Sequence, residues 1–144
     1  MLRKPEDFQK AGSKVFQKAP IHRRSIDGWI VISKGKVADA QRESNSPTTR
    51  IGAAYDALLN LSLAVLSSQG WRAGSADGHH MQTLEAACAY AGITESVHDQ
   101  VDAIRDLRNN QYQGIEPSAD DILFALKVLD KVAPELLSLL GHPP

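Results

Sequence analysis

Residues 50–70 read RIGAAYDALLNLSLAVLSSQG. Ile51, Ala54, Tyr55, Leu58, Leu61 and Val65 recur at the three- and four-residue steps of an α-helix and make one broad apolar stripe. The polar break before it, RESNSPTT, holds the Ser and Pro that start helices, and Gly70 supplies the stop. A stripe this broad fits a helix at the centre of a bundle, so this segment decides the fold class.

The flanking segments continue the pattern. After the small-residue loop WRAGSADG, HHMQTLEAACAYAG carries Met81, Leu84, Cys88 and Ala91 on one face and ends at Gly92, the usual C-terminal glycine position. ITESVHDQVDAIRDLRNNQYQG opens with Ser96 three residues before Asp99, a capping box with Asp in place of Glu or Gln, and Ser118 before Asp121 repeats the device. The last segment has Ile122, Leu126, Leu129, Ala133, Leu136 and Leu140 as its stripe, with a bend expected at Pro134. Upstream, Ile26, Trp29, Ile30, Val37 and Ala40 fit a helix that Ser33 interrupts. WIVIS, bounded by Gly28 and Gly35, competes as a short strand. The helix is favoured because no other segment offers a strand to pair with. The expected fold is therefore all-α, an up-and-down bundle of four to five helices over residues 25–144, after a basic leader over residues 1–24 that has helical potential.

At 144 residues, 42% apolar and 23% charged, the chain reads as one soluble domain. Cys88 is the only cysteine, which excludes an internal disulfide and suggests a reducing compartment, and its neighbours make it a small core residue. No secretory signal or membrane-spanning run is apparent, so a cytoplasmic protein with no membrane association is expected. No cofactor or metal is implied. Net charge is −1, yet Arg3, Lys4, Lys10, Lys14, Lys18, Arg23 and Arg24 crowd the leader. A solvated terminal helix or tail is the simpler reading of that cluster; contact with nucleic-acid phosphates is the other.

RDLRNNQYQG, residues 105–114, breaks the pattern. On the helix following Ser96, Val97, Val101 and Ile104 define the inward stripe, and at about 100° per residue Arg108 falls roughly 20° from Val101. A buried position thus carries a guanidinium. The same step puts Arg105, Arg108 and Tyr112 in a column along one edge of the buried face, flanked by Asn109. Desolvating an unpaired guanidinium costs several kcal/mol. Either an acid such as Asp56 compensates or the side chain snorkels out at the bundle's end, or the stripe opens into a cleft where a phosphate meets both arginines and Tyr112 stacks or donates a hydrogen bond.

The combination RIGAAYDALLNLSLAVL, a GHH helix start, RDLRNNQY and a long final helix resembles the HEPN domain (higher eukaryotes and prokaryotes nucleotide-binding), a four- to five-helix bundle, over roughly Ser25 to Leu140. The resemblance implies an RNA- or nucleotide-binding function. It also implies a metal-independent endoribonuclease of a toxin–antitoxin or defence system, a homodimer with two R-x4–6-H motifs facing one cleft, and frequently a nucleotidyltransferase partner. Arg108 matches the motif arginine and Asn109 the polar residue after it. The histidine is missing: Gln113, Gly114 and Ile115 stand where it belongs, and Tyr112 fits the spacing only when counted from Arg105. A phenol titrating near ~10 moves protons poorly at neutral pH, whereas an imidazole near ~6.5 does so readily. Arg108 and Tyr112 are accordingly the catalytic candidates, and Arg105, Arg108, Asn109, Tyr112 and Tyr55 the ligand-binding ones. Binding is favoured over cutting. The alternative function is a non-catalytic interaction module, antitoxin-like or an accessory subunit, with Arg108 in a structural ion pair.

His79 and His80 follow Gly78, with no HxxxH or cysteine to complete a metal set, so cap and packing roles are expected. A second reading brings one of them to the Arg108 cleft as the missing base. His98 and His142 are expected to be exposed. Trp29 and Trp71 are candidates for an interface, but burial is the commoner outcome for both, with partial exposure the alternative for Trp71 in its glycine-rich loop beside Arg72.

Overall fold

The computed structural model describes residues 1–76 and 78–141. Among the described residues, six α-helices carry most of the chain: α1 Pro5–Lys10, α2 Arg23–Gln41, α3 Pro47–Ser68, α4 His79–Tyr90, α5 Glu95–Asn109 and α6 Ala119–Leu139. The fold is predominantly helical, as the periodicity predicts, and WIVIS lies inside α2 rather than in a strand. Ser33 stays on the buried stripe because its hydroxyl donates to the Ile30 carbonyl 2.8 Å away, which satisfies it without water.

α3 is the axis. Ala53, Ala54, Tyr55, Ala57, Leu58, Leu61, Ala64, Val65 and Leu66 are all buried and cover well over half of the helix circumference, while Gly52, Asp56, Leu59 and Leu63 make up a half-buried side. α2, α4, α5 and α6 each pack against it. By length and composition α3 would span a bilayer, but its apolar surface is occupied by these neighbours. Ser46 caps its start by accepting from the Thr49 amide at 3.3 Å, with Pro47 in the first turn.

The described residues also contain two short strands, which the all-α expectation lacks. β1 Phe16–Lys18 pairs antiparallel with β2 Trp71–Ala73, Gln17 standing opposite Arg72. Three-residue strands are too short to display a period of two, so neither segment stands out from a loop by pattern alone. Burial holds them in place: Phe8, Val15, Phe16, Leu66, Trp71 and Ala86 form a second apolar cluster. Trp71 is therefore buried, the commoner of its two expected outcomes, while Trp29 is half-buried. The basic leader folds onto the body as well. Arg3 donates to both carboxylate oxygens of Glu85, and its guanidinium lies 4.4 Å from the Phe8 ring centre.

Helix ends follow sequence logic with one displacement. Ser118 and Asp121 form the expected capping box of α6, which continues through Pro134. α5 starts earlier than Ser96: Thr94 is its cap, accepting from the Val97 amide at 3.3 Å. Gly92 takes φ +67° after α4, and the Ile93 amide reaches back to the Cys88 carbonyl at 3.0 Å, the hydrogen-bond pattern of a Schellman stop. Met81, expected on the inner face of α4, is 47% exposed.

Because α3 is the axis, truncating it should be felt by the whole molecule. Leu58→Ala is expected to lower the unfolding free energy by about 3 kcal/mol, within the usual 2–5 for a fully buried leucine. Urea unfolding followed by far-UV circular dichroism measures it, and a loss under about 1 kcal/mol would contradict the central placement of this helix.

Candidate functional site

Tyr55 forms the floor of the polar cluster. Its ring is 1% exposed, and three other helices bring polar side chains to it or to its neighbour. From the last turns of α5, the Arg108 guanidinium carbon sits 5.0 Å from the Tyr55 ring centre. From the first turn of α4, His80 places its ring centre 6.3 Å from that of Tyr55, and His79 stands edge-on to His80 at 4.1 Å. Asp56, beside Tyr55, faces Lys36 of α2 at 3.8 Å.

Local structure explains the convergence. α5 remains α-helical through Asn109, so Arg105 and Arg108, three residues apart, share one side of it. Gly78 is the N-cap of α4 with φ +76°, a left-handed conformation that turns the chain sharply into the histidine pair. The ring N–H at His79 Nδ1 donates to the Ala76 carbonyl at 3.1 Å, which fixes that imidazole.

The charges perturb one another. Burial raises the Tyr55 phenol above its ordinary 10.0, opposed by Arg108 and Arg105. Burial also lowers His80 below 6.5, and the neighbouring His79 and the Arg108 charge lower it further, with Asp56 opposing. His80 is therefore neutral at neutral pH. Away from the cluster, burial pushes the Cys88 thiol up to about 12, so it is the inert core cysteine expected.

Several sequence expectations hold and several need correction. Arg108 is half-buried, neither sealed in nor dangling, and among the described residues no carboxylate lies within ion-pair distance of it. Asp56 pairs with Lys36 instead. Arg105 is 20% exposed; its terminal nitrogen lies 3.8 Å from Asp106, while its buried Nε has no hydrogen-bond partner among the described residues. Asn109 is exposed.

Tyr112 does not lie along the buried edge. It is 74% exposed, because α5 ends at Asn109 and the chain tightens into a 3-10 turn, Asn110–Gln113, where the step per residue is about 120° rather than 100°. Arg50 is structural: its Nε donates to the Ala40 carbonyl at 2.8 Å and ties α3 to α2. His98 is buried rather than exposed, with Nδ1 3.9 Å from Asp102. His142 lies outside the described residues.

Among the described residues, no metal set forms around His79 and His80. His98, Asp99 and Asp102 bring potential ligand atoms within 4.8 Å of one another on a single stretch of α5, but Asp99 is exposed and the three come from one helix. No family model matches the chain, and neither a curated protein nor a solved structure matches it.

The position of His80 has a thermodynamic consequence. A histidine whose pKa is lower in the folded state leaves the unfolded chain binding more protons. Its stabilising effect is complete above its unfolded value of 6.5 and is lost as pH falls through the folded value. Urea unfolding of wild type against His80→Gln should therefore show a shallower decline for the variant on the acid side of 6.5. Parallel curves would mean that His80 is not desolvated by this cluster.

Proposed function

We propose that the chain is an RNA- or nucleotide-phosphate-binding domain of HEPN-like architecture, an up-and-down bundle in which Arg108 and Arg105 take the phosphate. One observation carries this reading: Arg108 is fixed over the Tyr55 ring without a carboxylate partner among the described residues. A cation over an aromatic face gains about 0.5–2 kcal/mol, less than the several kcal/mol that full desolvation of a guanidinium costs. Half-burial reconciles the two terms. The ring holds the guanidinium in one orientation while its remaining N–H groups stay open to a ligand, and two such groups suit two phosphate oxygens.

Other features fit a nucleic-acid ligand. The unpartnered Arg105 Nε adds a second donor one helical turn away. Tyr112, largely exposed just beyond the arginines, is a free stacking surface for a base, and exposed Asn109 offers an amide. In this reading two copies of the chain face each other across the cleft, and a nucleotidyltransferase is the partner to look for.

Affinity for single-stranded mixed-sequence RNA, measured by fluorescence anisotropy across salt, tests the proposal. Two phosphate contacts predict a log–log salt slope of roughly −1.4, at ~0.7 per phosphate on single strands. Arg108→Ala should weaken binding across sequences and make the slope less negative by about 0.7, with the thermal midpoint retained. A wild type without RNA affinity, together with an early-melting Arg108→Ala, would instead assign Arg108 to packing and the chain to the non-catalytic interaction modules.

A further inference from the structure

Both tryptophans of the chain line one cavity. It lies where β2, the start of α2 and the last turns of α3 meet, away from the Tyr55 cluster, and its volume is about 190 Å³. Trp29, Trp71, Leu63 and Leu66 make its walls apolar, while His22 and Arg72, both exposed, stand at its mouth. The walls are held in place by the fold. The Ala19 amide donates to the Gly70 carbonyl at 2.8 Å, which pins the ribbon to the end of α3, and Trp71 is 4% exposed.

Size and charge select what fits. An apolar cavity of ~150 Å³ takes a benzene ring. At about 190 Å³ this one has room for a single six-membered ring with a short substituent. The mouth is cationic, and among the described residues no carboxylate lines the cavity. Arg72 donates to the Gln17 side-chain oxygen at 3.0 Å, a neutral acceptor that orients the guanidinium without cancelling its charge. α2 begins beside it with Arg23 and Arg24 and has no acid in its first turn, so the positive end of the helix dipole adds to the same potential. His22 Nδ1 accepts from the Ser25 amide at 3.3 Å as the cap of α2, which leaves a ring proton on Nε2 as a further donor. A free phosphate would leave the apolar walls unused, and a plain hydrocarbon would leave the cationic mouth unused. Pockets of this build, apolar inside with a few polar groups at one side, bind molecules that match both surfaces.

We propose that this cavity is a binding site for a small aromatic carboxylate of about the size of phenylacetate, its ring against the two indoles and its carboxylate at Arg72 and His22. The site shares no residue with the Arg108 cluster, so it stands or falls independently of the phosphate-binding reading above.

The test is a titration of the full chain followed by proton–nitrogen correlation spectra, in which the two indole N–H signals report on the cavity from α2 and from β2. Phenylacetate should move both signals saturably, with half-saturation between roughly 10 μM and 1 mM, the range open to about ten non-hydrogen atoms. Phenylacetamide has the same shape without the charge. It should bind roughly 3–5-fold more weakly, since water screens an exposed guanidinium, and Arg72→Gln should erase the difference between the two ligands. Leu63→Trp fills the cavity from its half-buried wall and should abolish the shifts of the Trp29 and Trp71 signals while retaining a cooperative thermal transition. Ala73→Leu fills it from the ribbon side and takes its place should the first variant unfold.

An absence of saturable indole shifts up to ~10 mM phenylacetate would overturn the proposal. Unchanged binding in a folded, cavity-filled variant would do the same by putting the ligand elsewhere. Phenylacetamide binding as tightly as phenylacetate would overturn the carboxylate assignment and the proposal with it.

Discussion

The constraint on which the molecule depends is that α3 is apolar over most of its circumference. A helix of this kind must be covered on several sides, and each covering helix then needs only one apolar face. α2, α4, α5 and α6 supply those faces, and their polar sides are left to solvent. The small residues of α3, Ala53, Ala54, Ala57 and Ala64, leave little side-chain bulk between it and its neighbours. Hydroxyls on the same helix do not spoil the core: Ser62 donates to the Leu58 carbonyl at 2.8 Å and needs no partner elsewhere.

The cover changes character at the N-terminal half of α3. One turn beyond Arg50, Tyr55 and Asp56 also carry polar side-chain atoms toward the neighbouring helices, which answer in kind with Lys36, His80 and Arg108. The aromatic ring matters more than the hydroxyl for Arg108. It gives the guanidinium an apolar, electron-rich surface to lie on, so the side chain is oriented without being neutralised by a carboxylate. An acid in the place of Tyr55 would hold Arg108 as firmly but would compete with any anion for it.

How much of this was legible depends on the range of each interaction. The helices around Leu58, Leu84 and Leu129 are visible because helical periodicity is a local property. Gly92 and Ser118 mark their boundaries for the same reason, since caps act over a few residues. The β1–β2 ribbon was not legible: Phe16 and Trp71 become neighbours only after the leader folds back, and each strand is too short to advertise itself. Arg108 stood out because a charge on an apolar stripe is a local contradiction. Its supporting tyrosine and nearby histidine belong to other helices, so sequence spacing could offer His80 only as an option. Tyr112 was misplaced because a count at 100° per residue assumes the α-helix continues, whereas the α-helix ends at Asn109. His98 is buried because at about 100° per residue it lies roughly 60° from Val101, on the same edge of the inward face as Arg105, so the helix face and not nearness to the helix start decides its exposure.

The contrast between α5 and α6 shows why the polar cluster falls where it does. α6 anchors itself with Ile122, Ala125, Val128, Leu129, Val132, Ala133 and Leu136, all buried, spread along most of its length. α5 has only Val101, Ile104 and the imidazole of His98 fully buried, and beyond Ile104 none of its residues is sealed from solvent. The last turn of α5 therefore contributes little to the core, and a change of side chain there costs the fold less than it would almost anywhere along α6. Elements that meet ligands are drawn from such weakly anchored ends, because a fully packed turn has no free surface to offer. Arg108 occupies that turn and Arg105 stands just before it. Their placement exploits the part of the bundle where hydrophobic packing makes the smallest demand on residue type, while the Tyr55 ring beneath them, fixed in the best-packed helix, supplies the rigidity that the turn itself lacks.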